Sequence, residues 1–131
     1  MPSNSSGVRW NVNRQKVSET VLDFAGDFIG AGKTPEERKN RLTSACTAWN
    51  YACVPEKVTE ELLDKYVVEY RKWNPDANAE ECRKIRQVME ELIAEKQTKY
   101  PGVLKQIISC ELTVVDGKDH IFVASTRQDL S

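Results

Sequence analysis

The hydrophobic period changes once along this chain, and that change limits the folds open to it. From Val17 to about Lys99 apolar residues recur every three or four positions, the spacing that gathers them on one face of a helix. Residues 106 to 115, QIISCELTVV, alternate instead and are rich in β-branched side chains, which suits a strand. Asp116-Gly117 follows, the strongest short-range signal for a two-residue hairpin turn. Ile121, Phe122, Val123 and Ala124 supply the return strand. Alternation places Ile108, Cys110, Leu112 and Val114 on one face of the first strand and Ile107, Ser109, Glu111 and Thr113 on the other. An isolated hairpin is marginal in water, so one face must cover helices. The expected class is α+β, a four-helix N-terminal and central bundle with a C-terminal antiparallel β-hairpin.

Turn and cap residues divide the helical part. Residues 1–12 are polar and read as a tail from which Trp10 can fold back. Residues 13–126 read as one domain and residues 127–131 as a second polar tail. Helix one is expected from an Asn13 cap to Ile29, with Val17, Val21, Phe24 and Phe28 on its apolar face and Gly30 or Gly32 in a left-handed closing turn. Helix two is expected over Pro35–Cys53, with Leu42, Ala45, Cys46, Trp49 and Cys53 as its stripe. Helix three is expected from Pro55 to Trp73, burying Val58, Leu62, Tyr66, Tyr70 and Trp73, widened by Leu63 and Val67. Helix four is expected from Ala79 to Lys99, capped by Asn78 and burying Cys82, Ile85, Met89, Leu92 and Ile93.

The stretch GAGKTPEER at residues 30–38 resembles a phosphate-binding loop only superficially. That loop needs a strand, then G-x-x-x-x-G-K-[ST], then a helix. Here Asp27 stands where the first glycine belongs, and a helical segment precedes it. The local reading accounts for the letters: Thr34 caps helix two, Pro35 fits its first turn, and Glu37 completes a Thr-x-x-Glu capping box.

Other chemistries fare no better. His120 is the only histidine, expected in or beside the hairpin turn. Cys46 and Cys53 lie two helical turns apart, about 10 Å by helix rise, too far to share a zinc ion directly. No Glu-x-x-His for a di-iron bundle and no G-x-S-x-G elbow occurs. Cys110 should face residue 123, not His120. The doublets Glu36-Glu37, Glu60-Glu61, Glu80-Glu81 and Glu90-Glu91 diverge around their helices and read as solvated faces. No catalytic residue, metal or cofactor is expected. The four cysteines, Cys46, Cys53, Cys82 and Cys110, read as reduced thiols that pack as small apolar groups.

Charge separates the remaining options. Lys and Arg total 19 against 20 Asp and Glu, a net charge of −1, so no long-range field draws in nucleic acid or an anionic membrane. The N-terminus lacks a secretory pattern, and no apolar run approaches the ~20 residues of a bilayer span. The expectation is a cytoplasmic protein with no membrane partner. The leading functional expectation is a non-catalytic interaction or regulatory protein that self-associates as a dimer. The apolar second strand, with Ile121 and Val123, is its expected pairing edge. The alternative is a small-ligand or nucleic-acid binding module. It would use a basic corner where helix three ends in Arg71, Lys72 and Trp73 and helix four begins with Arg83, Lys84 and Arg86.

Three short motifs carry a resemblance: Ala48-Trp49-Asn50, the run Glu91-Leu92-Ile93 through Lys99-Tyr100-Pro101, and Val123-Ala124-Ser125. Over residues 40–126 the chain resembles small uncharacterised bacterial proteins with a helix-then-hairpin order. The resemblance implies a bacterial source and that order, and no activity.

Overall fold

The computed structural model describes residues 17–103 and 105–126. The Asn13 cap, the placement of Trp10 and both polar tails lie outside the described residues. Four helices precede a two-stranded antiparallel sheet: α1 over residues 17–30, α2 Pro35–Tyr51, α3 Glu56–Trp73, α4 Ala79–Lys99, β1 Ile107–Val115 and β2 Lys118–Ser125. The fold is α+β, as the change of period requires.

The α1–α2 junction answers the GKT motif. The Thr34 hydroxyl oxygen accepts from the Glu37 backbone N–H at 3.1 Å, and the Glu37 carboxylate accepts from the Lys33 N–H at 2.7 Å. The reciprocal bond therefore falls one residue ahead of Thr34, but it satisfies the same kind of orphan helix donor. Neither Gly30 nor Gly32 takes the expected left-handed turn. Gly32 is needed for space instead: a Cβ there would stand 2.9 Å from both the backbone N and the Cγ of Arg38. Arg38 also donates to the Gly32 carbonyl at 3.1 Å. Arg41 closes α1 by donating to the Phe28 carbonyl at 2.8 Å, and its guanidinium lies 4.8 Å from the Phe28 ring centre.

Trp49 of α2 is the centre of the core. Phe24 of α1 meets its ring edge-on at 5.4 Å, and Tyr100 lies at 5.6 Å. The Lys96 ammonium sits 5.1 Å from the same ring and donates to the Val103 carbonyl. Lys96 is only 1% exposed. The periodic pattern of α4 stops at Ile93, so this buried lysine was not anticipated; its apolar stem packs while the head finds a carbonyl and a ring face.

Helix α3 is rotated from its expected face. Thr59 and Leu63 are buried, whereas Val58 is exposed and Trp73 is 82% exposed. Thr59 explains the rotation. Its hydroxyl donates to the Tyr51 carbonyl at 2.8 Å, with the Pro55 carbonyl also near at 3.2 Å. It thus serves backbone left open where α2 ends. Tyr66 follows on that face, edge-on to Tyr51 at 6.3 Å and 3.1 Å from the Ser44 hydroxyl.

Asp116 and Gly117 both have positive φ, 54° and 76°, the type I′ geometry expected of Asp-Gly. The register pairs Val115 with Lys118 and Cys110 with Val123. It shifts between Ile107 and Ser109, and that extra residue breaks the expected alternation. Ile107 turns inward and Ile108 is left 68% exposed. Return pairing begins earlier than expected, at Lys118, so His120 lies within β2 opposite Thr113.

Gly32→Ala is expected to destabilise the fold by about 1–3 kcal/mol through overpacking against the Arg38 backbone. Gly30→Ala, which meets nothing within 4 Å, is expected to be tolerated. Parallel urea denaturation of the two variants checks the contrast.

Candidate functional site

The hairpin lies over α1 and α2 and is fixed at three points. The Asn50 side chain donates to the Ile107 carbonyl at 2.8 Å and accepts from the Ile107 N–H at 2.6 Å. It occupies both backbone groups as a neighbouring strand would. The Ser18 hydroxyl accepts from the Val123 N–H at 3.0 Å. Near the turn, the Arg38 guanidinium donates to both carboxylate oxygens of Asp119, at 2.5 and 3.2 Å, a bidentate pair with a defined orientation.

These contacts reveal which backbone groups face outward. The Val123 N–H points to Ser18, away from β1, so Cys110–Val123 is a non-hydrogen-bonded pair. Alternation then turns the N–H and C=O groups of Cys110, Leu112 and Val114 outward on β1, and those of Asp119, Ile121 and Val123 outward on β2. Ser18 covers the far half of the β2 edge and Asn50 the first residue of the β1 edge. The turn-side half of β2 is flanked by Lys118 and Asp119, charged residues of the kind with which proteins blunt an edge, and by His120. The turn-side half of β1 carries Leu112, Thr113, Val114 and Val115 beside the single charge of Glu111.

Side chains on the solvent face are partly apolar. Phe122 is 58% exposed there, opposite Glu111, and Val115 is also exposed. Ile121 and Val123, expected at the pairing edge, turn their side chains towards the helices. Val123 is fully buried and Ile121 packs against the core, because both stand on the face that covers the helices. The apolar residues of the outer surface are instead Phe122, Val115 and the bulged Ile108. Sequence alternation contained the signal for Phe122, but the short run IFVA offers no polar neighbours to tell its two faces apart.

The basic corner is dispersed. Lys72 pairs with Glu69 at 3.1 Å and Arg83 with Glu80 at 2.9 Å. Arg86 turns away into the α3–α4 seam, where it meets Glu60 and Asp64 at 2.7 Å each and Glu90 at 3.5 Å. The Asp64 hydrogen bond raises the Arg86 pKa against the opposing effect of burial, with the charges of Asp64, Glu60 and Glu90 adding to the rise. Arg71 and Trp73 are exposed. No three His, Cys, Asp or Glu side chains gather as metal ligands would among the described residues. No described helix is long and apolar enough to cross a membrane. Open grooves flank α4 on both sides, rimmed by Asp23, Asp27, Glu91 and Glu95 towards α1 and by Glu56, Glu60 and Glu90 towards α3. At the end of α4 the Tyr100 hydroxyl donates to Asp23, and this bond pushes its pKa up to about 12. No protein family, curated protein or solved structure matches the chain.

Asn50→Ala leaves the Ile107 N–H and C=O without partners. It is expected to cost about 1–3 kcal/mol and to speed amide exchange at Ile107 more than at the turn-side residues. Exchange measured residue by residue by NMR checks this.

Proposed function

We propose that this chain is a non-catalytic interaction protein that self-associates through the turn-side half of its β1 edge. The observation that carries the reading is the asymmetry of the hairpin edges: Ser18 and charged residues cover β2, while Leu112 and Val114 have outward backbone groups and, among the described residues, no covering element. Among the described elements β1 packs on β2 and α2, and α2 crosses beneath the sheet from Asn50 towards Arg38. Two copies related by a two-fold axis at Leu112 would pair Cys110 with Val114 of the other copy. Glu111 would then stand opposite Thr113, so no like charges meet. The product is a continuous four-stranded sheet in which the open backbone groups are satisfied.

Native mass spectrometry over a concentration series is expected to show a dimer. Val114→Pro removes an outward N–H without removing a bond of the hairpin ladder, and is expected to shift that dimer to monomer with the circular dichroism spectrum unchanged. Wild-type protein that remains monomeric at every concentration would sink the proposal. A dimer lost on Phe122→Lys but kept in Val114→Pro would move the interface to the outer face.

A further inference from the structure

We propose that Cys110 and Cys46 form a dithiol site that a hydroperoxide oxidises to a disulfide joining β1 to α2. The site is placed by two contacts that do not involve sulfur. Asn50 of α2 binds Ile107 at the start of β1. Arg38, three turns earlier on α2, binds Asp119, which pairs with Val114 near the end of β1. Helix and strand therefore run in opposite senses, and Cys46 and Cys110 fall between the two anchors. Cys46 is buried in the core cluster there, and Cys110 packs against the same cluster from the facing strand.

The two sulfurs are not equivalent. Cys46 is buried, whereas Cys110 is half-buried and lies beside the exposed Thr43. A small oxidant meets Cys110 first. The Cys46 thiol favours the Cys110 thiolate against the opposing effect of burial, and the thiolate is the nucleophile. Cys110, followed by burial, holds Cys46 as the thiol. The other two cysteines lack this arrangement. Burial raises the Cys53 pKa, and its thiol faces the Val103 and Lys105 carbonyls at 3.9 and 3.8 Å. Cys82 is buried on α4.

The chemistry balances in two steps. The Cys110 sulfur attacks one peroxide oxygen, forming an S–O bond as the O–O bond breaks. The leaving hydroxide or alkoxide takes the Cys110 proton and departs as water or alcohol. Sulfur is oxidised by two electrons and the peroxide is reduced. The Cys46 sulfur then attacks the Cys110 sulfenic acid. An S–S bond forms, the S–O bond breaks, and the hydroxyl leaves as water with the Cys46 proton. Condensation of a sulfenic acid with a neighbouring thiol is the ordinary fate of such a pair.

The test is treatment of the full chain with hydrogen peroxide, followed by alkylation and non-reducing peptide mapping. The expected result is a fall from four alkylatable thiols to two, with one intramolecular Cys46–Cys110 linkage that dithiothreitol reverses. Cys46→Ser is expected to stop at a Cys110 sulfenic acid that dimedone traps. Cys110→Ser is expected to leave Cys46 unoxidised. Preferential oxidation of Cys53 or Cys82 overturns the proposal, as does overoxidation of Cys110 with Cys46 still free. Linkage between chains, or four thiols unchanged by peroxide, also overturns it. The wild-type map decides even if a variant fails to fold.

Discussion

The structure depends on what surrounds Trp49. Its indole N–H donates to the Lys105 carbonyl at 2.7 Å, while its ring takes Phe24 on one side and Tyr100 and Lys96 on others. One buried side chain thus joins α1, α2, the end of α4 and the link into the sheet. A buried indole needs a partner for its N–H, and the chosen partner is backbone just ahead of β1. Asn50, the next residue, then takes Ile107. Two consecutive side chains at the end of α2 fix where the hairpin begins, and the core and the sheet are set by the same helical turn.

That placement has consequences along the whole hairpin. With Ile107 held and one extra residue inserted after it, the buried face continues as Cys110, Leu112, Ile121 and Val123. Arg38 reaches Asp119 at the other end and keeps α2 alongside β1. Cys46 is thereby carried along the strand that holds Cys110, and among the described residues no element covers the Val114 backbone. The proposed dithiol and the proposed pairing edge would both follow from this one packing arrangement.

The regular parts of the fold were readable from residue patterns. Thr34-Pro35, Asn78 and Asp116-Gly117 are local signals, each satisfied by backbone groups within a few residues, and each appears near its expected place. Val17, Val21 and Phe24, and then Met89, Leu92 and Ile93, could be read because periodicity measures a helix against itself. The face of α3 was not legible in this way because it depends on Thr59 reaching carbonyls at the end of α2. Lys96 carried no apolar signal, since its burial depends on Val103 and Trp49 from other segments. The inward turn of Val123 could not be read, because the sequence of β2 does not say which helix lies beneath it.

By itself the sequence determined the helix-then-hairpin order, the turn type and most of the helix boundaries, since these follow from bonds and periodicities within a single segment. Only the tertiary structure decided the face of α3, the bulge at Ile108, the burial of Lys96, the packing of Cys110 against the core cluster that holds Cys46 and the bond from the Val123 N–H to Ser18. Each of these joins residues far apart in the chain, where the deciding quantity is which donor or apolar face arrives opposite. No local pattern encodes that arrival. It is set when Trp49 and Asn50 take the backbone of the segment that leads into the sheet.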